Sequence, residues 1–207
     1  MFQSKLKTLV VAVASLSASQ VIASDQMTID DIPNIEYVLQ SAVSPSGDHI
    51  AFTRKLARKL YVDKDGASYS ELYITDSKGN ERPFITGKVN VKSIEWSADG
   101  QHVYFLGKFD KEKHTKLYRI PFMGGERQAV MALKDTSISA YDMSPDGKQV
   151  ALLAMPAKKK SEKKLKDLGF KAEVYELGLE NKQLFVTELV VSDKPISLNA
   201  VAIDTYV

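Results

Sequence analysis

The sequence contains no cysteine, which excludes a disulfide framework and a thiolate metal site. An oxidising compartment remains compatible with this composition. The chain also lacks the Gly-x-Ser-x-Gly pentapeptide that presents a nucleophilic serine on a strained turn. It has no glycine-rich phosphate loop and no RNA-binding aromatic motif. We therefore predict no catalytic, cofactor-binding or metal-binding residue within these 207 residues.

An excess of charge of one sign is absent as well. The chain has 28 Lys and Arg against 26 Asp and Glu, and residues 1–24 contribute two lysines and no acidic residue. The remainder is balanced, with 26 charges of each sign. The basic balance of the whole chain therefore comes from its N-terminal segment and does not predict a nucleic-acid partner.

Residues 1–24 show the order of features typical of an export signal. Two lysines precede an apolar run at 9–16, which is too short to span a membrane, and Val-Ile-Ala at 21–23 matches a signal peptidase site. No later stretch reaches 18 apolar residues. We predict cleavage after Ala23 or Ser24, a periplasmic or secreted protein, and no membrane span after cleavage. A buried N-terminal helix is the alternative.

One turn sequence occurs three times along the chain. It reads Ser-Pro-Ser-Gly at 44–47, Ser-Ala-Asp-Gly at 97–100 and Ser-Pro-Asp-Gly at 144–147, so the glycines lie 53 and 47 residues apart. Proline presets φ in such a turn, serine can hydrogen-bond the backbone, and glycine allows positive φ at the exit. A period of about 40–50 residues with several short strands indicates β-propeller blades.

Each period has a similar order of strands. The turn joins two inner strands, then comes a strand with leucine followed by an aromatic residue, and a glycine-containing turn leads to an outer strand. In the second period, alternation over residues 91–96 predicts a regular inner strand. The third strands are predicted at 71–75, 116–120 and 183–187, and outer strands follow near 82–85 and 127–130.

These patterns predict an all-β fold. We expect an incomplete β-propeller of about three four-stranded antiparallel blades with TolB-like repeats, following a cleaved signal peptide. An open β-meander or a sandwich is the alternative. The predicted boundaries are a signal peptide at 1–24, a partial propeller at 25–207, blades at about 35–86, 91–133 and 138–198, and the start of a further strand at 200–207.

Several segments carry the resemblance to a family. They are Met-Thr-Ile-Asp-Asp at 27–31, the repeated turn, Glu-Leu-Tyr at 71–73, and a lysine-rich loop that runs into Gly-Phe-Lys-Ala-Glu-Val-Tyr-Glu at 169–176. Together they resemble the N-terminal propeller of the prolyl oligopeptidase family, in its exported dipeptidyl-peptidase and acylaminoacyl-peptidase branch. The resemblance covers essentially the whole chain after the signal segment.

The resemblance implies a particular function. Members of this family carry an α/β-hydrolase domain with Ser, Asp and His after the propeller, and the propeller restricts access so that short peptides reach the serine. None of those catalytic residues is present here, and the chain ends at Val207 before any hydrolase domain. The resemblance therefore implies a substrate-gating propeller fragment of an exported serine peptidase, which is not catalytic by itself. The alternative is a stand-alone periplasmic TolB-like propeller that serves as a binding or scaffold module.

Four features could suggest chemistry or ligand binding, and each has a plainer interpretation. His49 and His102 follow repeat glycines and, like His114, are interpreted as surface residues. The sequence from Asp63 to Glu71 resembles a calcium loop, but glycine stands fourth and alanine fifth, so an Asp-Gly turn is the better interpretation. The lysines at 158–166 have acidic residues interleaved and are interpreted as a solvated face. Trp96 is interpreted as core.

Three blades do not close a ring of about 4–8 blades, and repeat units need neighbours to bury their faces. We therefore expect the isolated chain to be marginally stable or prone to aggregation unless several copies assemble through unpaired blade edges. Peptide substrates are expected only through a hydrolase domain.

Overall fold

The computed structural model describes residues 27–109, 111–157, 164, 167–170, 181–190 and 196–198. The chain divides into two compact units, residues 1–32 and 33–207. In the described part of the first unit, the Asp31 carboxylate accepts hydrogen bonds from the backbone N–H and the hydroxyl of Thr28, at 2.7 and 2.8 Å. A short 3-10 helix covers Ile29–Asn34.

The second unit is built from β-strands. In chain order the described strands are β1 (Tyr37–Val43), β2 (His49–Leu56), β3 (Tyr69–Asp76), β4 (Glu81–Ile85), β5 (Lys92–Trp96), β6 (His102–Gly107), β7 (Lys116–Pro121), β8 (Gln128–Leu133), β9 (Ile138–Met143), β10 (Gln149–Ala154), β11 (Gln183–Glu188) and β12 (Ile196–Leu198).

The strands form three sheets, in which β1 to β11 pair with consecutive neighbours in antiparallel fashion. We name them blade 1 (β1–β4), blade 2 (β5–β8) and blade 3 (β9–β11). This arrangement confirms the predicted all-β fold with three antiparallel blades. One pairing was not expected: β12 joins the outer strand β8 of blade 2 in parallel, although residues up to 198 were assigned to blade 3. Parallel pairing there satisfies backbone groups that would otherwise stand unpaired along the edge of β8.

The repeated turn has the same hydrogen bonds in all three blades. The glycine N–H donates to the serine carbonyl at 2.8–2.9 Å, and the serine hydroxyl accepts from the N–H five residues on. Gly47, Gly100 and Gly147 have φ of 79°, 68° and 68°, the left-handed region that favours glycine. The turn chemistry predicted from Ser and Gly is therefore the chemistry that joins the first two strands of each blade.

Each blade packs through two distinct faces, which follow from the alternation of side chains along a strand. The forward face turns towards the next blade and carries the leucine of the third strand (Leu72, Leu117 or Leu184). The backward face turns towards the preceding blade and carries the aromatic residue that follows this leucine (Tyr73, Tyr118 or Phe185). One core lies between blades 1 and 2 and a second core lies between blades 2 and 3.

The backward face of blade 2 contains stacked aromatic rings. Phe105 and Tyr118 stack at 5.7 Å with an angle of 13° between their planes, and Phe109 packs edge-on against both. These rings meet Leu72 and Ile74 from the forward face of blade 1, and both of those side chains are buried. Aromatic burial with this geometry supplies much of the packing energy between two neighbouring blades. We call such a packed contact between blades a joint.

Strand β5 departs from the regular alternation that the sequence predicts. Its pairing with β6 shifts between Lys92 and Glu95, and Ser93 has a positive φ of 49°. The N–H of Ser93 donates to Gln40 Oε1 of blade 1 at 2.8 Å. The bulge therefore turns a backbone donor away from its own sheet and towards the neighbouring blade.

Candidate functional site

The first strands of the blades converge and form the candidate site. Trp96 Nε1 donates to the carbonyl of Ala42 at 2.9 Å, which joins the first strands of blades 1 and 2. Five residues before each repeat glycine, on the forward face, stand Ala42, Glu95 and Asp142. Successive blades thus carry a carboxylate at the same inner position, although blade 1 does not.

Of the two carboxylates at this position, that of Glu95 has a strongly shifted pKa. Its pKa is raised from 4.5 to about 7, first by burial and then by the negative charge of Asp142, while a hydrogen bond from the backbone N–H of Met143 opposes the rise. This N–H belongs to the first strand of blade 3, so the carboxylate links two blades. A group with a pKa near neutrality can exchange a proton at physiological pH.

Two tyrosines lie close to this carboxylate. The hydroxyl of Tyr141 is buried, and no hydrogen-bond partner for it occurs among the described residues. Burial, and then the charge of Glu95, hold the pKa of Tyr141 well above its usual value. Burial also raises the pKa of Tyr104, which a hydrogen bond with Arg119 opposes. The surroundings of Glu95 therefore combine low polarity with a buried hydroxyl group that has no hydrogen-bond partner among the described residues.

A cleft of about 210 Å³ opens beside this group, between blades 2 and 3. Glu95, Tyr104, Met143 and Leu189 line it together with residues of the second and third repeat turns. An apolar wall with one carboxylate suits a cationic or hydrogen-bond-donating group, because the carboxylate would regain by pairing what it loses by desolvation.

The three histidines lie apart from this cleft. The ring of His49 packs edge-on against Phe122 at 4.6 Å, and His102 is half-buried at the exit of its turn. Burial lowers the pKa of His102, Arg119 lowers it further, and Asp99 opposes the shift. His114 is half-buried in the loop between β6 and β7. His49 is likewise only half-buried, and its ring contributes to the contact between blades 1 and 2.

The calcium-like sequence is engaged in other contacts. Asp63 Oδ1 lies 2.6 Å from Lys88 Nζ, and Asp65 accepts a hydrogen bond from the N–H of Gly66 within its own turn. Glu71 accepts hydrogen bonds from the hydroxyl of Tyr73 and the N–H of Gly87. Among the described residues there is no cluster of three or more His, Asp or Glu that could hold a metal ion.

Trp96 is buried between blades 1 and 2, as interpreted from the sequence. Several other predictions fall on residues outside the described ranges. They concern the signal segment at 1–24, most of the lysine-rich insertion, residues 171–176, and the strand at 200–207. Within the described ranges, no helix has the length and apolar character needed to cross a membrane. The local sequence patterns do not single out Glu95 and Asp142, although their shared distance from the repeat glycine is a signal.

The fold and the repeated turns define the chain as part of a β-propeller. Residues 57–155 match the family described as the dipeptidyl peptidase IV (DPP IV) N-terminal region. This match confirms the resemblance to the N-terminal propeller of the prolyl oligopeptidase family. No curated protein matches the chain.

Solved structures are similar to the chain at low sequence identity. The acylaminoacyl peptidase of Pyrococcus horikoshii superposes with a TM-score of 0.54 at 11% identity, over 75% of this chain and 24% of that protein. The β-propeller domain of the trilobed protease from Pyrococcus furiosus gives 0.47 at 11% identity, covering 75% of this chain and 40% of that one. TolB from Acinetobacter baumannii gives 0.42 at 17%, covering 72% and 29%. The chain thus spans about a quarter of the length of the peptidase.

Proposed function

We propose that this chain is the substrate-gating propeller portion of an exported serine peptidase that acts on short peptides. The observation that carries the proposal is the family match over residues 57–155, within the joined blades 1 to 3. Catalysis would come from an α/β-hydrolase domain outside these 207 residues. Residues 1–24 would be the export signal, residues 25–207 the partial propeller, and the periplasm or the cell exterior the place of action.

Gating follows from the way the blades pack. Stacked sheets with buried cores are stiff, so a passage lined by their first strands admits extended peptides and excludes folded proteins. The first strands would bring polar groups to such a passage, among them Gln40, which accepts a hydrogen bond from the N–H of Ser93, and the carboxylates of Glu95 and Asp142. Two carboxylates at this surface favour peptides that carry a positive charge, because complementary charge raises the rate of encounter.

The first test is the mass and reactivity of the native protein in its source cells. An antibody raised against residues 24–207 would identify the product, and a fluorophosphonate would label an active serine. We expect a labelled species several-fold heavier than 23.0 kDa. A soluble, unlabelled species of the chain's own mass would contradict the peptidase assignment.

That second outcome would favour a stand-alone periplasmic propeller acting as a binding module. The cleft between blades 2 and 3 supports this alternative, because it combines a carboxylate with apolar walls and needs no hydrolase domain. Pull-down of a specific periplasmic protein by the wild-type chain, lost in Glu95→Gln, would separate the two functions.

A further inference from the structure

The joints on the two sides of blade 2 differ at one pair of repeat positions. Trp96 and Met143 both stand four residues before the glycine of their own repeat turn. Between blades 1 and 2, the indole of Trp96 is buried and donates to the carbonyl of Ala42 at 2.9 Å. Between blades 2 and 3, Met143 meets Glu95 instead. A slim, flexible thioether replaces the indole at this second joint, which leaves room for the cleft of about 210 Å³.

The walls of this cleft are largely apolar. They include Ala98, Met143, Pro145 and Leu189, and none of the described residues that line the cleft is a lysine, an arginine or a histidine. Sites for drug-sized ligands measure about 300–1,000 Å³, so a cleft of about 210 Å³ suits a single side chain better than a whole ligand of that size. An occupant with an apolar stem would be sheltered from water by these walls.

The negative charge at this cleft is not balanced by an ion pair among the described residues. Asp142 adds its charge to that of Glu95, and no described lysine or arginine forms an ion pair with either carboxylate. The guanidinium of Arg119 approaches from β7, but it donates to Gln128 Oε1 at 2.9 and 3.1 Å and is hydrogen-bonded to Tyr104. A cation in the cleft would therefore offset the desolvation of Glu95.

A buried hydroxyl group close to Glu95 offers a second polar contact. The hydroxyl of Tyr141 has no hydrogen-bond partner among the described residues, and the charge of Glu95 is near enough to raise its pKa. A buried hydroxyl without a partner is costly, so folded proteins satisfy nearly all such groups. A ligand that donates to the Tyr141 oxygen and to the Glu95 carboxylate together would satisfy both groups.

The carboxylate of Glu95 is already in partial use. The N–H of Met143 donates to it, which disfavours the paired donation that a planar guanidinium makes to both oxygens of a carboxylate. An ammonium group is a compact charge with three rotatable donors, and lysine carries it on an apolar stem of four carbons. Apolar walls with one partly used carboxylate and one buried hydroxyl therefore fit lysine better than arginine.

We propose that the cleft between blades 2 and 3 binds the side chain of a lysine in an extended peptide. The stem of this lysine packs against Met143 and Leu189, and its ammonium group pairs with Glu95. The site is formed entirely by the described parts of blades 2 and 3. It therefore does not depend on the peptidase assignment, although it would select among the peptides that a gating propeller admits.

Calorimetric titration with three blocked peptides tests the choice of ligand. The peptides are acetyl-Ala-X-Ala-amide with lysine, norleucine or arginine at X, and norleucine keeps the stem of lysine without the charge. The protein is expressed from its own gene, whether as this chain or as a longer polypeptide, and is treated with a fluorophosphonate so that any reactive serine is blocked. We expect the lysine peptide to bind about tenfold or more tightly than the norleucine peptide, and more tightly than the arginine peptide.

Two charge variants test the place of binding. Glu95→Gln keeps the shape of the side chain and should abolish the preference for lysine over norleucine. The matched control is Glu126→Gln, which removes an exposed carboxylate from the turn between β7 and β8, outside the residues that line the cleft. It should leave the preference unchanged, because a binding site in the cleft does not depend on the overall charge of the protein. Circular dichroism of both variants would verify that they are folded.

A third variant closes the cleft without relying on charge alone. Glu95→Ala with Met143→Trp recreates the residue pair of the joint between blades 1 and 2, so it should fill the cleft and abolish binding of the lysine peptide. Lysine binding that survives this variant would place the site elsewhere. Equal binding of the lysine and norleucine peptides, no binding of either, a preference kept in Glu95→Gln or lost in Glu126→Gln, or tighter binding of the arginine peptide would each overturn the proposal.

Discussion

The contact between blades 1 and 2 and the forward face of blade 3, which no described blade covers, use the same repeat positions with opposite outcomes. Leucine stands at the third-strand position in each blade, yet it is fully buried in blades 1 and 2 and half exposed in blade 3. The side chain is the same, and only the neighbouring blade differs. Burial in a repeat fold is therefore a property of the joint between units and not of the unit itself.

The largest expected effect comes from a cavity at a closed joint. Leu117→Ala should lower the free energy of unfolding by about 3 kcal/mol, because it removes a fully buried side chain from the core between blades 2 and 3. Leu184→Ala, its equivalent on the free face, should change stability by less than about 1 kcal/mol in a monomer. Urea unfolding followed by Trp96 fluorescence measures both. Equal losses would mean that the two positions are buried alike.

A substitution of Trp96 tests the hydrogen bond that joins blades 1 and 2. Trp96→Phe keeps an aromatic ring but removes the Nε1 donor, which leaves the carbonyl of Ala42 without this partner. We expect a loss of about 1.5 kcal/mol, from the hydrogen bond and the smaller ring together. Since the variant loses the only tryptophan, circular dichroism would follow its unfolding. A neutral effect would show that the bond between the blades contributes nothing to stability.

Glu95 makes the joint between blades 2 and 3 depend on pH. Its pKa in the folded chain is raised to about 7, so the folded state holds the proton more tightly than the unfolded state does. The contribution of Glu95 to the free energy of unfolding is therefore most favourable below about pH 4.5, falls as the pH rises towards 7, and stays low above it. Because the Glu95 side chain is partly exposed, solvent screens part of this effect. We therefore expect the free energy of unfolding to fall by about 1 kcal/mol over this pH range.

Thermal unfolding across this pH range would measure the effect of Glu95. Glu95→Gln should abolish most of the dependence and raise the melting temperature at pH 8. Asp142→Asn should lower the pKa of Glu95 and shift the dependence to lower pH, because it removes a neighbouring negative charge. An unchanged profile in Glu95→Gln would assign the dependence to another group.

The smallest expected effect concerns Arg54, whose side chain covers the aromatic rings on the backward face of blade 1. Arg54 lies over Phe52 and Tyr73 and forms ion pairs with Glu81 and Glu36. Arg54→Ala should cost a monomer about 0.5 kcal/mol, since these interactions are partly exposed. Arg54→Met would preserve much of the covering area and should cost less. Unfolding by urea at low and high salt would separate the charge from the contact, because only the ion pairs are screened.

Much of the fold could be predicted from local sequence. The turn at 144–147 and the strands on either side of it follow from Ser, Pro, Asp and Gly with apolar runs, because turn conformation depends on the residues within the turn. The bulge at Ser93 and the parallel strand β12 could not be predicted in this way. Both depend on backbone partners in another strand or blade, which the local pattern does not contain.

The candidate site shows the same contrast between what the local sequence indicates and what depends on contacts between blades. Glu95 was visible in the sequence as an acidic residue in a strand, with nothing local to distinguish it from other glutamates. Its raised pKa arises from burial and from the charge of Asp142, which lies more than 40 residues away along the chain. The histidines, by contrast, attract notice in the sequence, yet the ring of His49 serves a packing contact with Phe122.

The sequence by itself determined the repeat, the turns, the order of the strands and the family resemblance, because each depends on residues close together along the chain. The tertiary structure decided which leucine is buried, which carboxylate has a raised pKa and which faces no described blade covers. Those properties depend on distances between blades, and the strength of hydrophobic and electrostatic interactions follows from such distances and from the water that a neighbouring blade displaces.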